Sequence, residues 1–484
     1  HAVFRSDEGG APGSWRATVR SEDRRLINTL LLHNPIIATL VECGFQGPNE
    51  FFAMGWYVNM ITVDPRDPDR VWAAGVDLFR SDNGGVDWDP VTYWWAGESN
   101  PNWVHADQHR LVFHPKKRGT AFSLNDGGIS RTREAGGRVP DGVTGICSPG
   151  ISPIDWKTLN NGYGVTQFYH GTVFPDGSTY MAGAQDNGTV LGSDALGQNG
   201  WVRIFGGDGG YSAVDPRDPR VIYVTFQNGA VRKSFDGGFQ FTAAEGGITD
   251  LANNDTSNFR ARGDLFLFIS PLVMDPDDPT RLWLGGLRLW RTDNGAVNWS
   301  GASARLEDGG LASAIAIAEG DSDRVLVGSD NGFIYRSASA TTATESTAWE
   351  STRPRAGFVS SIAFDPADPS VAYATYAGFG GRHVWRSEDG GATWSALDGN
   401  GAGSVPDIPV HSIVVDPSDT SRLYIGTDLG VMASPDGGAT WAVENSGFTN
   451  AVTEWLAIHP GSPGAPTLYA FTHGRGAWRV PLGE

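Results

Sequence analysis

The chain has 484 residues and a formal net charge of −19, from 36 basic and 55 acidic side chains. Nucleic acids and anionic membranes are bound through basic surfaces, so this charge argues against both and leaves neutral or cationic ligands. No stretch of about 18 consecutive apolar residues occurs, so no membrane-spanning helix is predicted. The 65 glycines separate short apolar runs, and tryptophan is abundant at 18 residues. This pattern predicts an all-β protein with many short strands.

The first 55 residues differ from the rest of the chain. Residues 1–20 carry the pattern of two strands, and 21–34 predicts one short helix within an insertion that extends to residue 55. The chain starts with histidine and starts inside a repeat, so we expect a processed or truncated product. Further insertions at 92–104, 134–157 and 248–268 are expected to build or cover a binding face.

A repeated corner, Asp-Pro-x-Asp-Pro between two apolar strands, runs through the remaining residues. Clear copies lie at 61–72, 214–223 and 274–283, and further copies lie at 364–373 and 415–424. Proline fixes φ and lacks a backbone donor, so it ends the first strand. The aspartate before it accepts local N–H groups. Each copy therefore predicts a strand, a corner and a second strand.

A second repeat, Asp-x-Gly-Gly or Asp-x-Gly-Ala followed by an aromatic residue, alternates with the corner. Its clear copies end at Trp88, Trp394 and Trp441, and weaker ones lie at 5–15, 234–241 and 291–299. We expect the aspartate to accept backbone hydrogen bonds, the glycines to take positive φ, and the tryptophan to pack between sheets. A motif repeated this often is a building unit rather than an active site.

Nine corners, some of them degenerate, set the rhythm of the chain. They lie at residues 64, 114, 174, 215, 275, 319, 365, 416 and 459. A four-stranded unit of this length, repeated around an axis, is typical of a β-propeller. The predicted fold is therefore all-β, with about nine four-stranded repeats. They form either a seven-bladed propeller plus blades of a second, or one ring of nine to ten blades.

The domain prediction follows from these repeats. Residues 1–55 are a partial N-terminal blade plus an insertion, and 56–484 are blades that one propeller holds or two share. Residues 452–482 supply only three strands. One N-terminal strand would complete that last blade and close a ring without an exposed edge. The alternative is that the N-terminal strands belong to a blade whose first half was removed.

Polar residues near position 105 are the first candidates for a site. His105, Asp107 and His109 alternate, so on a strand they share one face, at the start of an innermost strand. Two imidazoles and a carboxylate suit a divalent metal or a polar ligand, and they equally suit a hydrogen-bonded plug of the channel. Tyr93, Trp94, Trp95 and Trp103 lie in the adjacent insertion, as a sugar-stacking platform or as the core of that loop.

Three aspartates form a second group of candidates. Asp126, Asp186 and Asp208 lie in glycine-rich turns of successive repeats. Two carboxylates about 5–10 Å apart across a cleft are what glycoside hydrolysis requires. The alternative for each is turn chemistry.

The turn at Ser387, Asp389 and Trp394, and its copy ending at Trp441, resembles the Asp-box, or bacterial neuraminidase repeat. Families with this box include sialidases, two-propeller xyloglucanases, the sortilin luminal domain and a photosystem II assembly factor. Runs at 104–109, 125–128, 183–189, 207–210 and 472–476 resemble large secreted bacterial proteins labelled "glycosyl hydrolase, BNR repeat" or sortilin-like. That resemblance implies further repeats before residue 1. The sialidase Arg-Ile-Pro motif is absent, which argues against that activity.

Two functions remain open from the sequence. The first is a secreted binding or scaffold module in an extracellular assembly or on a glycan surface, with a glycan or protein partner. The alternative is a xyloglucanase-like glycoside hydrolase acting on a neutral polysaccharide. The predicted ligand-binding residues are His105, Asp107, His109, Asp126, Gln185, Asp186 and Asp208.

The two cysteines bear on location. Cys43 and Cys147 would form one disulfide in a secreted or extracytoplasmic protein, and two free buried thiols are the alternative. Cysteine and histidine spacings match no zinc motif, so neither a metal nor a cofactor is predicted.

Overall fold

The structure, a computed structural model, describes residues 2–20, 55–139, 154–252, 262–444, 447, 450–461 and 465–483. The short helix predicted at 21–34, Cys43 and Cys147 lie outside these residues. The chain divides into two compact units, His1–Tyr163 and Gly164–Glu484. Nearly all regular structure is β, so the all-β prediction is confirmed.

The first unit holds one two-stranded and two four-stranded antiparallel sheets. The two-stranded sheet pairs β1 (Ala2–Ser6) with β2 (Trp15–Arg20). The next sheet contains β3 (Met60–Asp64), β4 (Asp67–Ala74), β5 (Leu78–Ser81) and β6 (Asp89–Pro90). The third contains β7 (Gln108–Phe113), β8 (Ala121–Asn125), β9 (Gly128–Thr132) and β10 (Lys157–Thr158).

The second unit holds seven antiparallel sheets, each with its strands in chain order. The first sheet contains β11 (Phe168–Val173), β12 (Thr179–Ala184), β13 (Gly188–Ser193) and β14 (Val202–Phe205). The second contains β15 (Ser212–Val214), β16 (Ile222–Phe226), β17 (Ala230–Ser234) and β18 (Thr242–Ala243). The third contains β19 (Leu272–Met274), β20 (Leu282–Gly285), β21 (Leu289–Thr292) and β22 (Ser300–Gly301). The fourth contains β23 (Ala312–Ala318), β24 (Asp321–Ser329), β25 (Ile334–Ala338) and β26 (Glu350–Thr352). The fifth contains β27 (Val359–Phe364), β28 (Ala372–Tyr376), β29 (Val384–Ser387) and β30 (Ser395–Ala396). The sixth contains β31 (Val410–Val415), β32 (Leu423–Thr427), β33 (Gly430–Ser434) and β34 (Ala442–Glu444). The seventh contains β35 (Thr453–His459), β36 (Thr467–Thr472) and β37 (Ala477–Pro481).

Helical structure is confined to short connections among the described residues. They hold one four-residue α-helix, α1 (Thr249–Ala252), and 3-10 turns at Trp94–Ala96, Asp194–Leu196, Ala340–Thr342 and Gly401–Gly403. No helix in this part of the chain is long and apolar enough to cross a bilayer.

The seven sheets of the second unit form a closed ring. The first strand of each sheet contacts the first strand of the next, and β35 of the seventh sheet contacts β11 of the first. A backbone bridge between Gln167 and His473 lies at this seam, and the Tyr469 hydroxyl donates to the Gly177 carbonyl oxygen at 2.6 Å. The second unit is therefore a seven-bladed β-propeller, and the alternative of one nine- to ten-bladed ring is wrong.

The last blade has three strands among the described residues. In one of the two alternatives an N-terminal strand completes it, but β1 and β2 pair with each other and form a sheet of the first unit. Val19 of β2 packs in one apolar cluster with Val71, Phe79 and Trp88 of the following sheet. The two N-terminal strands thus form a separate two-stranded sheet that packs against the sheet of β3–β6.

The repeated corner has the expected geometry. At the third sheet of the second unit, the buried Asp275 side chain accepts hydrogen bonds from the backbone N–H groups of Asp277 (2.9 Å) and Asp278 (3.2 Å). Its second oxygen lies 3.2 Å from the guanidinium of Arg281, which directly precedes the next strand. All nine first strands end within one residue of the predicted corner positions.

The glycine-rich turn is also built as predicted. In the fifth sheet of the second unit, the Ser387 hydroxyl accepts the Gly391 N–H at 2.8 Å. Asp389 accepts the N–H of Thr393 at 2.8 Å and its hydroxyl at 2.6 Å. Gly390 and Gly391 take φ of 67° and 90°, which a side chain would strain. Trp441 of the sixth sheet packs against Tyr373 of the fifth, as expected for a residue between blades.

Candidate functional site

The residues predicted to share one strand face do not do so. Strand β7 begins at Gln108, so His105 and Asp107 precede it and only His109 is in the strand. Asp107 has φ of 64°, in the left-handed region, which interrupts the extended backbone that alternation requires. The prediction of a shared face is therefore wrong.

His105 is held in the loop before β7 by its neighbours. Its ring contacts Trp103 edge-on, with centroids 6.2 Å apart, and its carbonyl oxygen accepts a hydrogen bond from the buried Gln108 amide. The same ring lies against Gly127, where an added Cβ would come within 2.3 Å of it. Glycine at position 127 is thus required by the close approach of this histidine.

His109 and Asp126 are brought together in the first unit. His109 is the second residue of β7, and its Nε2 lies 2.5 Å from Asp126 Oδ1. Tyr57 completes the group, because its hydroxyl donates to Asp126 Oδ2 at 2.9 Å and its ring meets that of His109 edge-on at 5.0 Å. Asp126 therefore accepts from two side chains that flank it.

An exposed aromatic side chain extends this group. Trp56 is 77% exposed, and its ring centroid lies 5.6 Å from that of Tyr57. We call Trp56, Tyr57, His109 and Asp126 the aromatic–polar surface. It presents two aromatic rings beside a carboxylate and an imidazole.

The aromatic residues that the sequence singled out are largely loop core. Tyr93 is 1% exposed and packs with Trp88, and Trp95 packs against the same cluster. Trp103 donates its indole N–H to the Trp94 carbonyl oxygen at 2.8 Å. Of the two alternatives for this insertion, the structure favours the core of the loop.

A buried carboxyl group lies near this region. Asp77 is 3% exposed and accepts the Thr92 hydroxyl at 2.7 Å and the Trp94 N–H at 3.1 Å. Burial raises its pKa to about 8, the hydrogen bonds from Thr92 and Trp94 oppose the rise, and the charge of Asp107 adds to it. Asp77 is thus mostly protonated at neutral pH.

The remaining predicted residues lie in the second unit, so the seven predicted site residues are divided between the two units. Asp208 is 7% exposed; its Oδ1 accepts the Asp186 N–H at 2.8 Å, and its Oδ2 accepts the Gln227 side-chain amide. Gln185 donates its backbone N–H to Gln167. Asp208 therefore ties the β12–β13 turn to the residue after β16, which favours a structural role for its carboxylate.

The His109–Asp126 pair has a counterpart in the second unit. His411 is the second residue of β31, and its Nε2 lies 2.8 Å from Asp428 in the β32–β33 turn. Both pairs are 17 residues apart, and in both sheets a register shift falls at the histidine. Such a β-bulge points an extra side chain out of the regular ladder.

The bulge is a property of the repeat. First strands shift register at the same place in four further sheets, at residues between Phe168 and His170, Ala312 and Ala314, Val359 and Ser361, and Thr453 and Trp455. Because the first strands line the ring in parallel, their bulged residues lie at one end of it. In the last blade that residue is Glu454, and His473 follows β36.

Sequence reasoning missed several of these residues. The equal 17-residue spacing identifies His411 and Asp428 once the repeats are aligned, and Glu454 occupies the same repeat position. Trp56 and Tyr57 carry no repeat signal, because they precede the first strand of their sheet.

Comparisons with known proteins bear on the fold. No protein-family model matches the chain. Over 120 residues, 25% of this chain, it is 32% identical to a xyloglucanase of Hypocrea jecorina (strain QM6a), and the match covers 13% of that protein. The xyloglucanase of Xanthomonas campestris is similar in structure, with 18% identity, a TM-score of 0.53, and coverage of 99% of this chain and 63% of that one.

These likenesses support the β-propeller. The chain spans less than two thirds of the length of either xyloglucanase. YCF48 from Cyanidioschyzon merolae aligns with 78% of the chain at 15% identity and a TM-score of 0.36, which is too low for any argument. Structural likeness at such identities bears on the fold rather than on the activity.

Proposed function

We propose that this chain is a propeller module that binds a neutral polysaccharide, outside the cytoplasm, on a glycan surface or within an extracellular assembly. The glycine-rich turns are, in this proposal, Asp-box repeats. The observation that carries the proposal is the aromatic–polar surface of Trp56, Tyr57, His109 and Asp126.

The chemistry of this surface suits a sugar. A tryptophan that is 77% exposed offers a flat apolar face to the C–H groups of a pyranose ring. Asp126 and His109 lie beside it, and a carboxylate and an imidazole are groups that hydrogen-bond to hydroxyls. Clustered aromatic anchors with a few polar groups are the usual composition of ligand sites.

The charge of the chain selects among polysaccharides. At a net charge of −19, a polyanionic glycan would be repelled at long range, whereas a neutral one would not. Affinity electrophoresis in gels containing xyloglucan, mixed-linkage β-glucan or polygalacturonate tests this. We expect retardation in at least one neutral glycan and none in polygalacturonate. Unretarded migration in all neutral glycans contradicts the proposal.

A second function, xyloglucanase-like hydrolysis, is favoured by the 120-residue match to a xyloglucanase. Release of reducing ends from xyloglucan separates the two functions. A binding module retains the polysaccharide without release. A hydrolase releases reducing ends and loses this activity in Asp126→Asn, while Glu98→Gln, an exposed carboxylate change, leaves it intact.

The extracytoplasmic location belongs to the same proposal. It rests on the cysteine pair of the sequence, Cys43 and Cys147. Mass spectrometry of the non-reduced protein tests it: a peptide joining the two cysteines is expected, and two free thiols after secretion into an oxidising medium contradict it.

A further inference from the structure

Four side chains with metal-binding chemistry converge at the closure of the seven-sheet ring. His411 is the bulged residue of β31, Glu454 is the bulged residue of β35, and His473 follows β36. His411 Nδ1 lies 3.4 Å from Glu454 Oε2, and His473 Nδ1 lies 3.8 Å from Glu454 Oε1. Asp428 flanks the group through His411.

The hydrogen bond to Asp428 determines which nitrogen of the His411 ring carries the hydrogen in the neutral imidazole. A carboxylate can only accept a hydrogen bond, so the Nε2–H group of His411 donates the 2.8 Å hydrogen bond to Asp428. In the neutral imidazole, Nδ1 then carries a lone pair, and that lone pair faces a Glu454 oxygen. A histidine oriented by a carboxylate through its other nitrogen is the usual arrangement around bound metal ions.

His473 adds a second imidazole nitrogen that lacks a hydrogen-bond partner within the described part of the chain. Its Nδ1 is buried and has no hydrogen-bond partner among the residues that the structure describes. Its backbone is fixed by the bridge to Gln167 and by an N–H bond to Val452 at 2.8 Å. The ion pairs of Glu454 in the described chain are both to histidines. Two imidazole nitrogens thus face the Glu454 carboxylate, and a cation bound between them would satisfy all three side chains.

We propose that His411, Glu454 and His473 bind a divalent transition-metal ion of the zinc type, with Asp428 orienting His411. Two imidazoles and a carboxylate are a common zinc ligand set that leaves a fourth position for water. Ligand atoms at about 2.0–2.1 Å from a tetrahedral zinc lie about 3.3 Å apart. The 3.4 Å and 3.8 Å separations reach different oxygens of Glu454, and the three ligand atoms do not all lie within 4.8 Å of one another. Binding of the ion therefore requires the two imidazoles to turn towards a common oxygen.

The position of the site gives the ion a role. His411 belongs to the sixth sheet, whereas Glu454 and His473 belong to the seventh, whose far side meets the first sheet at the seam. The ion therefore links two blades beside the closure of the ring. Residues 411, 454 and 473 are far apart along the chain and form no short metal-binding motif, which is why the sequence predicted no metal.

The test uses the full chain stripped with a chelator and then dialysed. Calorimetric titration with ZnCl2 is expected to show one ion per chain, and Co2+ is expected to give the intense visible absorption of a tetrahedral site. Glu454→Gln and His473→Ala are expected to lose at least tenfold in zinc affinity. Asp428→Asn is expected to lose roughly 10–100-fold, the usual effect of an outer-shell carboxylate.

The control is His459→Ala, a half-buried histidine in the same strand β35 whose Nε2 lies 3.2 Å from the Pro175 carbonyl oxygen, outside the cluster. It is expected to bind zinc like the wild type, and the circular dichroism of every variant shows whether it is folded. Zinc is expected to raise the melting temperature of the wild type and not that of Glu454→Gln. No binding by the folded wild type, or unchanged affinity in folded Glu454→Gln and His473→Ala, overturns the proposal.

Discussion

At the scale of single residues, Asp77 couples protonation to folding. Its pKa is about 8 in the folded protein, well above its ordinary value of 3.8, because burial disfavours the charge. The folded state therefore binds this proton more tightly than the unfolded state. The contribution of this proton to the free energy of unfolding is fully present below about pH 4, and it is lost as pH rises from about 4 to about 8.

We expect Asp77→Asn to remove this pH dependence. Asparagine keeps an oxygen for Thr92 and Trp94 but carries no proton to lose. Between pH 5 and pH 8 the wild type should lose on the order of a few kcal/mol of unfolding free energy relative to the variant. Urea unfolding at both pH values measures the difference. Glu98→Gln is the control, and parallel profiles for wild type and Asp77→Asn would count against the account.

Asp389 makes the opposite contribution. The hydrogen bonds from Thr393, first from its hydroxyl and then from its N–H, lower the pKa of Asp389 to about 2. Its stabilisation is present above about pH 4 and is lost as pH falls towards 2. We expect Asp389→Ala to cost about 1 kcal/mol at pH 7 through the lost turn hydrogen bonds. Thermal unfolding checks this, with the exposed neighbour changed in Glu388→Ala as a nearly neutral control.

At the scale of elements, the corner and the turn made the fold predictable from the sequence. Proline at the corner and glycine at the turn act locally, so their positions fix where strands end without knowledge of distant contacts. The bulge at His109 and the positive φ of Asp107 follow from pairing with β8 and from the preceding loop. These depend on tertiary context, so the shared-face prediction for His105, Asp107 and His109 failed.

The site was predictable only in part for the same reason. His109 and Asp126 lie together as members of one sheet, whereas Asp208 serves the packing of neighbouring turns. Trp56 precedes its sheet and belongs to no repeat, so no periodic pattern could identify its exposure. Glu454 and His473 meet through the pairing of β35 with β36, and His411 joins them only because the sixth sheet packs beside the seventh.

The seam of the ring offers a test at the level of strands. Tyr469 of β36 donates to the Gly177 carbonyl oxygen at 2.6 Å, which connects the seventh sheet to the first. We expect Tyr469→Phe to lower the unfolding free energy by about 1 kcal/mol, the worth of one hydrogen bond. Tyr424→Phe makes the same change in β32 of the sixth sheet and should cost less. Equal losses in urea unfolding would argue against a specific seam contact.

At the scale of the whole molecule, closure of the ring makes the second unit self-contained. Each of its sheets packs on two neighbours, and no first strand in the described ring lacks a partner on either side. We expect residues 164–484, expressed alone, to unfold cooperatively as a monomer. Scanning calorimetry with size-exclusion chromatography measures this. Aggregation, or the absence of a cooperative transition, would contradict a self-contained propeller.

The binding proposal is tested most directly by calorimetric titration of the intact chain with xyloglucan oligosaccharides. We expect saturable binding by the wild type and at least tenfold weaker binding by Trp56→Ala, because the exposed indole supplies the stacking face. Trp15→Ala removes another exposed tryptophan of the first unit, 55% exposed on β2, and should bind like the wild type. Equal affinities for wild type, Trp56→Ala and Trp15→Ala would contradict a glycan site on the aromatic–polar surface.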